Sequence, residues 1–255
     1  MVFILENSHR HMKHKPYIDT RFFFSTAPVP CPYLPDRMER RLITELIGRH
    51  ASQMHDQLSY GGFRRSHSIA YAPACPSCSS CKAVRVLVNK FSPSRSQRRI
   101  WIKNDDLLLQ MRPAIATEEQ YSLFLRYQRY RHGGGDMAAM DFFDYQALIE
   151  DTPIETSVLE VRDYDGHLIA ACLTDMMATG LSAVYSFFEP TLGKRSLGSY
   201  IILWLIYRAR AMSLDHVYLG FWISDSTKMS YKTKFQPIEI RNPEGWMLFE
   251  ENLAS

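Results

Sequence analysis

Between residues 156 and 223 the chain switches between two periodicities in an order that few architectures accept. TSVLEVRD (156–163) and HLIAACLTDMM (167–177) are apolar runs of strand length. They flank Asp165-Gly166, a dipeptide suited to the positive φ of a tight hairpin turn. After Thr179-Gly180 comes a third strand, LSAVYSFFE (181–189). A loop, PTLGKRSLGS (190–199), then opens a long apolar helix, YIILWLIYRARAM (200–212), and HVYLGFWI (216–223) returns to strand. TKMSYKTKF (227–235) reads as a helix or turn, and WMLFE (246–250) as a last strand. Three consecutive antiparallel strands followed by a helical crossover require an α+β layer arrangement around a mixed sheet.

Upstream, Thr117-Glu118-Glu119-Gln120 forms a capping box, and Tyr121, Phe124, Leu125 and Gln128 recur at helical spacing, which predicts a helix over 118–131. RHGGGDM (131–137) breaks it, and a shorter helix follows near 142–150. His132 beside the glycines reads equally as part of a helix cap or of an active-site loop. Nearer the amino end, Pro28, Pro30, Pro32 and Pro35 keep RFFFSTAPVPCPYLPDR extended. Residues 36–58 read as a helix carrying Leu42, Leu46, Ile47, Met54 and Leu58. KAVRVLVNKF alternates Val84, Val86 and Val88 with other residues and is a strand. No repeat of 20–50 residues is present, which removes solenoids and propellers.

Charge divides the 255 residues unevenly. Residues 1–113 carry 18 Lys and Arg against 8 Asp and Glu, a net of +10, whereas residues 114–255 carry 12 against 19, a net of −7. This predicts a short flexible leader (1–20), a basic cysteine-containing domain (21–113) and a transferase-like domain (114–255). No run approaches the ~18 apolar residues of a membrane span. The amino end places an apolar patch before His and Lys, the reverse of a secretory signal, and five cysteines are an odd number. Both point to a reduced, cytoplasmic protein.

Cys75, Cys78 and Cys81 form C-x2-C-x2-C with Pro73 and Pro76 on either side of its first cysteine, and Cys31, in its own proline-rich turn, is an available fourth thiol. Such a set can hold zinc or an iron–sulfur cluster, or can simply close a compact turn of buried thiols. Cys172, within a strand, is a small core residue. Around the cysteines lie Arg64, Arg65, Arg85, Lys90, Arg95, Arg98 and Arg99. Arginine forks grip phosphate, so this cluster favours a nucleic-acid surface over ordinary solvated charge.

The order of elements in the second half resembles the acetyltransferase-like (GNAT) fold, in which a Gly-bearing loop before a long helix surrounds the acyl donor. Here that loop is Arg195-Ser196-Leu197-Gly198-Ser199-Tyr200. Tyr200 would crowd a pyrophosphate, which argues against coenzyme A as donor. More specifically, CPYLPDR (31–37), GFRRS (62–66), the cysteine run into KAVRVLV, FSPSRSQRR (91–99), YQRYRHGGGDM (127–137) and YLGFWISDSTKMSYKTKFQP (218–237) together resemble the arginyl-tRNA–protein transferase family, in its bacterial aspartate/glutamate leucyltransferase branch. The eukaryotic members carry paired cysteines in the amino-terminal turn, and here the second position is Leu34.

The resemblance implies transfer of leucine from leucyl-tRNA to the α-amino group of proteins beginning with Asp or Glu, marking them for degradation, with no ATP and no required cofactor. It places tRNA contacts at Arg64, Arg65, Arg85, Arg95, Arg98 and Arg99. Acceptor-carboxylate contacts fall to Arg131, Lys194, Arg195, Lys228 and Lys232. Tyr185, Glu189, Tyr200 and Tyr231 would orient the amine or relay protons, and Phe187, Phe188, Phe221 and Trp222 are candidates for a leucine pocket. Cys31, Cys75, Cys78 and Cys81 are the possible metal ligands. Two other readings compete: a coenzyme-A-dependent GNAT acyltransferase with a metal-binding amino-terminal domain, and a non-enzymatic cysteine-cluster protein that binds nucleic acid. The second leaves residues 114–255 without a purpose.

Overall fold

The protein is described by a computed structural model over residues 22–133 and 135–250. The expected leader at 1–20 lies outside the described residues. In chain order the elements are β1 (Phe24–Ser25), β2 (Val29–Pro30), β3 (Met38–Glu39), β4 (Arg41–Glu45), α1 (Ala51–Tyr60), β5 (Arg64–Ser66), β6 (Ile69–Pro73), β7 (Lys82–Leu87), α2 (Arg95–Lys103) and β8 (Leu108–Pro113). They continue as α3 (Glu118–His132), α4 (Phe142–Glu150), β9 (Thr156–Arg162), β10 (Leu168–Met177), β11 (Gly180–Phe188), α5 (Leu197–Ala211), β12 (His216–Trp222), β13 (Ile238–Asn242) and β14 (Gly245–Leu248).

The described strands form an eight-stranded sheet in the order β14-β13-β7-β12-β11-β10-β9-β8, a four-stranded sheet β1-β4-β6-β5 and a small β2-β3 pair. In the large sheet only β11 and β12 run parallel. That is the mixed sheet expected, because α5 provides the crossover connection that two parallel neighbours need. Helices cover both faces. One core packs α5 on Val84, Val86, Cys172, Val217 and Ile238, and the other packs α3 and α4 on Leu173 and Phe187. Strand β10 is thus buried on both sides, which is why its sequence runs apolar without alternation.

Two expectations are corrected and one unassigned segment is settled. The helix read over 36–58 is split: Arg41–Glu45 pairs with Ile69–Pro73 as a strand, and a helix begins only at Ala51. Ile43 and Thr44 are β-branched and favour a pleated strand, and Gly48, at φ +76°, turns the chain between the two elements. The basic stretch that includes Arg95, Arg98 and Arg99, to which the sequence assigned no secondary structure, is the start of α2. Ser94 accepts the Gln97 amide and the Gln97 side chain returns to the Ser94 amide, satisfying two otherwise orphaned donors. Finally, the boundary at residue 113 does not separate two sheets. Strand β7 sits between β12 and β13, and β8 closes the far edge. The Val84/Val86 face completes the same core as α5, so the basic half is built into the large sheet.

Candidate active site

Strands β11 and β12 pair only from Gly180–His216 to Ser182–Tyr218 and part beyond that point. Each carries an irregularity where they diverge. In β11 the register with β10 slips at Val184, and in β12 the register with β7 slips between Tyr218 and Gly220. Bulges of this kind turn backbone groups out of the ladder and re-aim side chains. Arg64, from β5 of the other sheet, fills the gap. Its Nη2 donates to the Val184 carbonyl at 2.7 Å and more weakly to Ala183 at 3.4 Å. Its guanidinium lies against Gly220, whose φ is +75°. Phe221 lies beneath the same group, 5.9 Å from guanidinium carbon to ring centre.

Phenols and a second cation surround this point. Lys232, in the 3-10 turn Ser230–Lys234, is only 6% exposed and donates from Nζ to the Phe221 carbonyl. Burial, reinforced by the nearby Arg64 charge, lowers its pKa to about 7. Tyr185 accepts a 2.6 Å hydrogen bond from Gln128 Nε2 on α3, which leaves its own O–H free to donate. Burial pushes the Tyr185 phenol up to about 12, against a smaller opposing pull from the Gln128 bond. Tyr231 is exposed at the rim, yet burial in the cleft raises its pKa while the Arg64 and Arg131 charges lower it. Exposed Arg131, near the end of α3, bears its charge on the Tyr127, Tyr185 and Tyr231 phenols, opposing the upward effect of burial on each. Gln128 Oε1 is buried with no partner.

The cleft therefore joins Tyr185, Tyr231, Arg131 and Lys232 from the expected set, and adds Arg64, Tyr127, Gln128 and Gly220. Of the additions, Gly220 alone had a local signal: a lone glycine inside the strand HVYLGFWI marks a bulge or a close approach. Arg64, expected among the tRNA contacts, is delivered by β5 to the bulge at Val184.

Other candidates lie elsewhere. Tyr200 is 3% exposed and packs edge-on against Trp101 at 5.5 Å, so it is a core residue of an almost uniformly apolar helix. Glu189 caps the turn Pro190–Arg195 through Thr191 and pairs with Arg126 at 2.9 Å, and these contacts hold its carboxyl below the usual range despite partial burial. Arg195 is held by both oxygens of Asp106, at 2.8 and 2.9 Å. Lys194 and Lys228 are exposed. Among the aromatic candidates, Phe187 is packed on Phe124 and Trp222 on Phe249, whereas Phe188 meets Tyr127 and Phe221 lines the cleft.

Two arginines expected at tRNA are not available to phosphate. Arg65 is 4% exposed and forks onto Asp175 at 2.7 and 2.8 Å. Arg85 pairs with Glu239 at 2.7 Å and stacks on Trp246 at 4.2 Å. Each side chain points into a packed interior, where an unpaired charge would be costly. Arg95, Arg98 and Arg99 are exposed on α2, beside an apolar pocket lined by Pro93, Trp101, Leu203 and Tyr207.

Cys31, Cys75, Cys78 and Cys81 line one pocket with Tyr33, Tyr71 and Phe221, against the cleft floor. Cys81 is raised to about 11, first by burial and then by the other three thiols. The Cys78 thiol, bonded to Ser80, is lowered. This soft donor set suits zinc or an iron–sulfur cluster. Among the described residues, only Asp163, Asp165 and His167 bring three ligand atoms within 4.8 Å of one another, so the four sulfurs share the pocket without converging. Cys172 is buried in the core as expected, with its thiol raised to about 12 by burial.

Residues 29–99 and 119–242 match the amino-terminal and carboxy-terminal parts of a single family, described as arginine-tRNA-protein transferase. The chain belongs to this family. Among its relatives is an aspartate/glutamate leucyltransferase of Paramagnetospirillum magneticum, 55% identical over 238 residues, covering 93% of this chain and 98% of that one. A protein of the same description from Rhodospirillum rubrum is 50% identical over 241 residues, covering 94% and 98%. Among solved structures, that of L-PGS from Bacillus licheniformis aligns with a TM-score of 0.51 at 12% identity, over 83% of this chain and 69% of that one. That likeness concerns the fold alone, and the transferase has the α+β, acetyltransferase-like arrangement its sequence order implied. No helix among the described residues is long and apolar enough to cross a membrane.

Proposed function

We propose that this transferase moves leucine from leucyl-tRNA to the α-amino group of proteins that begin with Asp or Glu, and so marks them for degradation. The 55% identity to an aspartate/glutamate leucyltransferase over almost the whole chain carries this reading. The cleft chemistry supports it. A neutral amine attacks the ester carbonyl, the tetrahedral oxyanion gains a hydrogen bond, and the tRNA ribose oxygen leaves with a proton. Tyr185, held by Gln128 with its O–H free, is suited to donate to that oxyanion. An α-amine of pKa ~8 is partly neutral near pH 7, so alignment of the two substrates does most of the work. The exposed arginines of α2 are suited to tRNA phosphates.

Cys31, Cys75, Cys78 and Cys81 would be the residues to hold a zinc ion or iron–sulfur cluster, whose contribution would be to clamp the β2–β3 turn beside the cleft. No step of the transfer is assigned to such a group. The coenzyme A reading is disfavoured by Arg64, which occupies the gap between β11 and β12.

Labelled leucyl-tRNA or arginyl-tRNA incubated with peptides starting with Asp, Glu or Ala tests the proposal. Label should pass from leucyl-tRNA to the Asp and Glu peptides. Preferential use of arginyl-tRNA, or equal use of the Ala peptide, would overturn it. Calorimetric binding of coenzyme A with indifference to tRNA would favour the runner-up.

A further inference from the structure

We propose that Arg64 and Lys232 together form the receptor for the side-chain carboxylate of the acceptor's first residue, and that Gly220 is what allows Arg64 to lie there. The inference rests on the function proposed above and names the residues that set its acceptor specificity.

Arg64 and Lys232 are neighbouring cations in a partly enclosed cleft, and neither has an acidic partner. Among the described residues, no carboxylate forms an ion pair with either one. Acids of the surrounding strands are engaged elsewhere: Glu39 with Arg41 at 2.6 Å, and Asp175 with Arg65 at 2.7 Å. Both cleft cations instead rest on backbone carbonyls, Arg64 on Val184 and Ala183, and Lys232 on Phe221. Carbonyl oxygens fix position but do not neutralise charge. Arg64 is half-buried and Lys232 buried, so holding both protonated without a counter-charge is a cost to the free protein that a bound anion would relieve.

The geometry favours one carboxylate over a phosphate backbone. Among the described residues only Nη2 of Arg64 donates to protein acceptors, so the Nε and Nη1 hydrogens, on the part of the guanidinium that lies over Gly220, have no protein acceptor and could turn to an anion. Phenols and Phe221 wall the place, an environment suited to one small planar anion. It also lies where β11 and β12 part, so an acceptor held by its side chain would present its α-amine beside the Tyr185 hydroxyl. The exposed arginines that suit a polyphosphate are on α2 instead.

The experiment measures peptide binding directly, without donor, so that it is independent of which aminoacyl group is transferred. Isothermal calorimetry on the full chain compares a peptide beginning with Asp against the isosteric one beginning with Asn. The parent protein should bind the Asp peptide at least tenfold more tightly. Arg64→Gln and Lys232→Met should each erase most of that preference by weakening the Asp peptide ten- to a hundredfold while leaving the Asn peptide within about threefold. Arg64→Lys, which keeps the charge but loses the fork, should retain part of it. Gly220→Ala, which alters no charge, should reduce the preference by displacing Arg64, with folding checked by circular dichroism. A preference that survives in both Arg64→Gln and Lys232→Met, or is missing in the parent, overturns the proposal whatever the donor. So does a loss of leucyl-tRNA affinity in Arg64→Gln with the Asp preference intact, since that would assign these cations to phosphate. If the preference behaves as expected but no leucine is transferred, the carboxylate site stands and the functional reading falls.

Discussion

The guanidinium of Arg64 lies where a side chain on residue 220 would begin: a Cβ built on Gly220 would stand 2.3 Å from both Arg64 Cζ and Nη1. The Arg64 guanidinium can lie this close to β12 because residue 220 has no side chain and takes φ +75°. Gly220→Ala should therefore cost about 1–3 kcal/mol, from the strained backbone and the displaced arginine. Denaturant midpoints at constant slope measure it, and a change below about 0.5 kcal/mol would show that the contact relaxes freely.

Arg65 and Asp175 tie the two sheets together and are both buried. Removing one partner strands the other charge in the interior, so Asp175→Ala should destabilise by about 3–5 kcal/mol. The salt dependence of tRNA binding by the folded fraction should be unaltered. An altered salt slope would return Arg65 to the tRNA surface.

On α2 the opposite is expected. Arg98→Ala with Arg99→Ala should leave the melting temperature nearly unchanged, as both side chains are exposed. Affinity for tRNA should fall, and the slope of log K against log salt should flatten by about one for each phosphate no longer neutralised. Acceptor preference should survive, because the Arg64–Lys232 pair is untouched.

Lys232, with a pKa lowered to about 7 by burial and by Arg64, should make acceptor binding pH-dependent. The charged and titratable groups facing it are Arg64 and the Tyr231 phenol, which stays protonated well above neutrality. A carboxylate stabilises the protonated amine, so binding takes up a proton, and KM for an Asp peptide should rise as pH increases above 7. Folding stability moves the other way. The unfolded lysine holds its proton to pH ~10.4, so between about 7 and 10 the unfolded state binds more protons and stability climbs with pH. Lys232→Met should flatten both profiles.

Two tyrosines separate surface likeness from role. Tyr185→Phe removes the free hydroxyl and should lower kcat about tenfold or more with leucyl-tRNA affinity intact. Tyr200→Phe, in the core against Trp101, should keep activity within about twofold. Equal losses from both substitutions would count against Tyr185 as the oxyanion donor.

What could be read from the sequence alone was what short-range energies decide. The Asp165-Gly166 turn, the Thr117–Gln120 cap of α3, the apolar length of α5 and the alternation of Val84, Val86 and Val88 all satisfy backbone groups or bury faces within a few residues of themselves. Those elements, in that order, were enough to imply the mixed α+β sheet, and the dispersed motifs were enough to imply the family. The fate of each charge was not local. Arg65 becomes an interior residue because Asp175, 110 positions away, meets it. Arg85 does so because Glu239 and Trp246 close over it. Arg64 reaches the cleft because two bulges and a glycine open a space between β11 and β12. A run of arginines looks the same in sequence whether its members face solvent, a buried carboxylate or a cleft between parted strands. Desolvation and pairing energies depend on which groups the rest of the chain brings within hydrogen-bonding reach, and only the tertiary structure decided that.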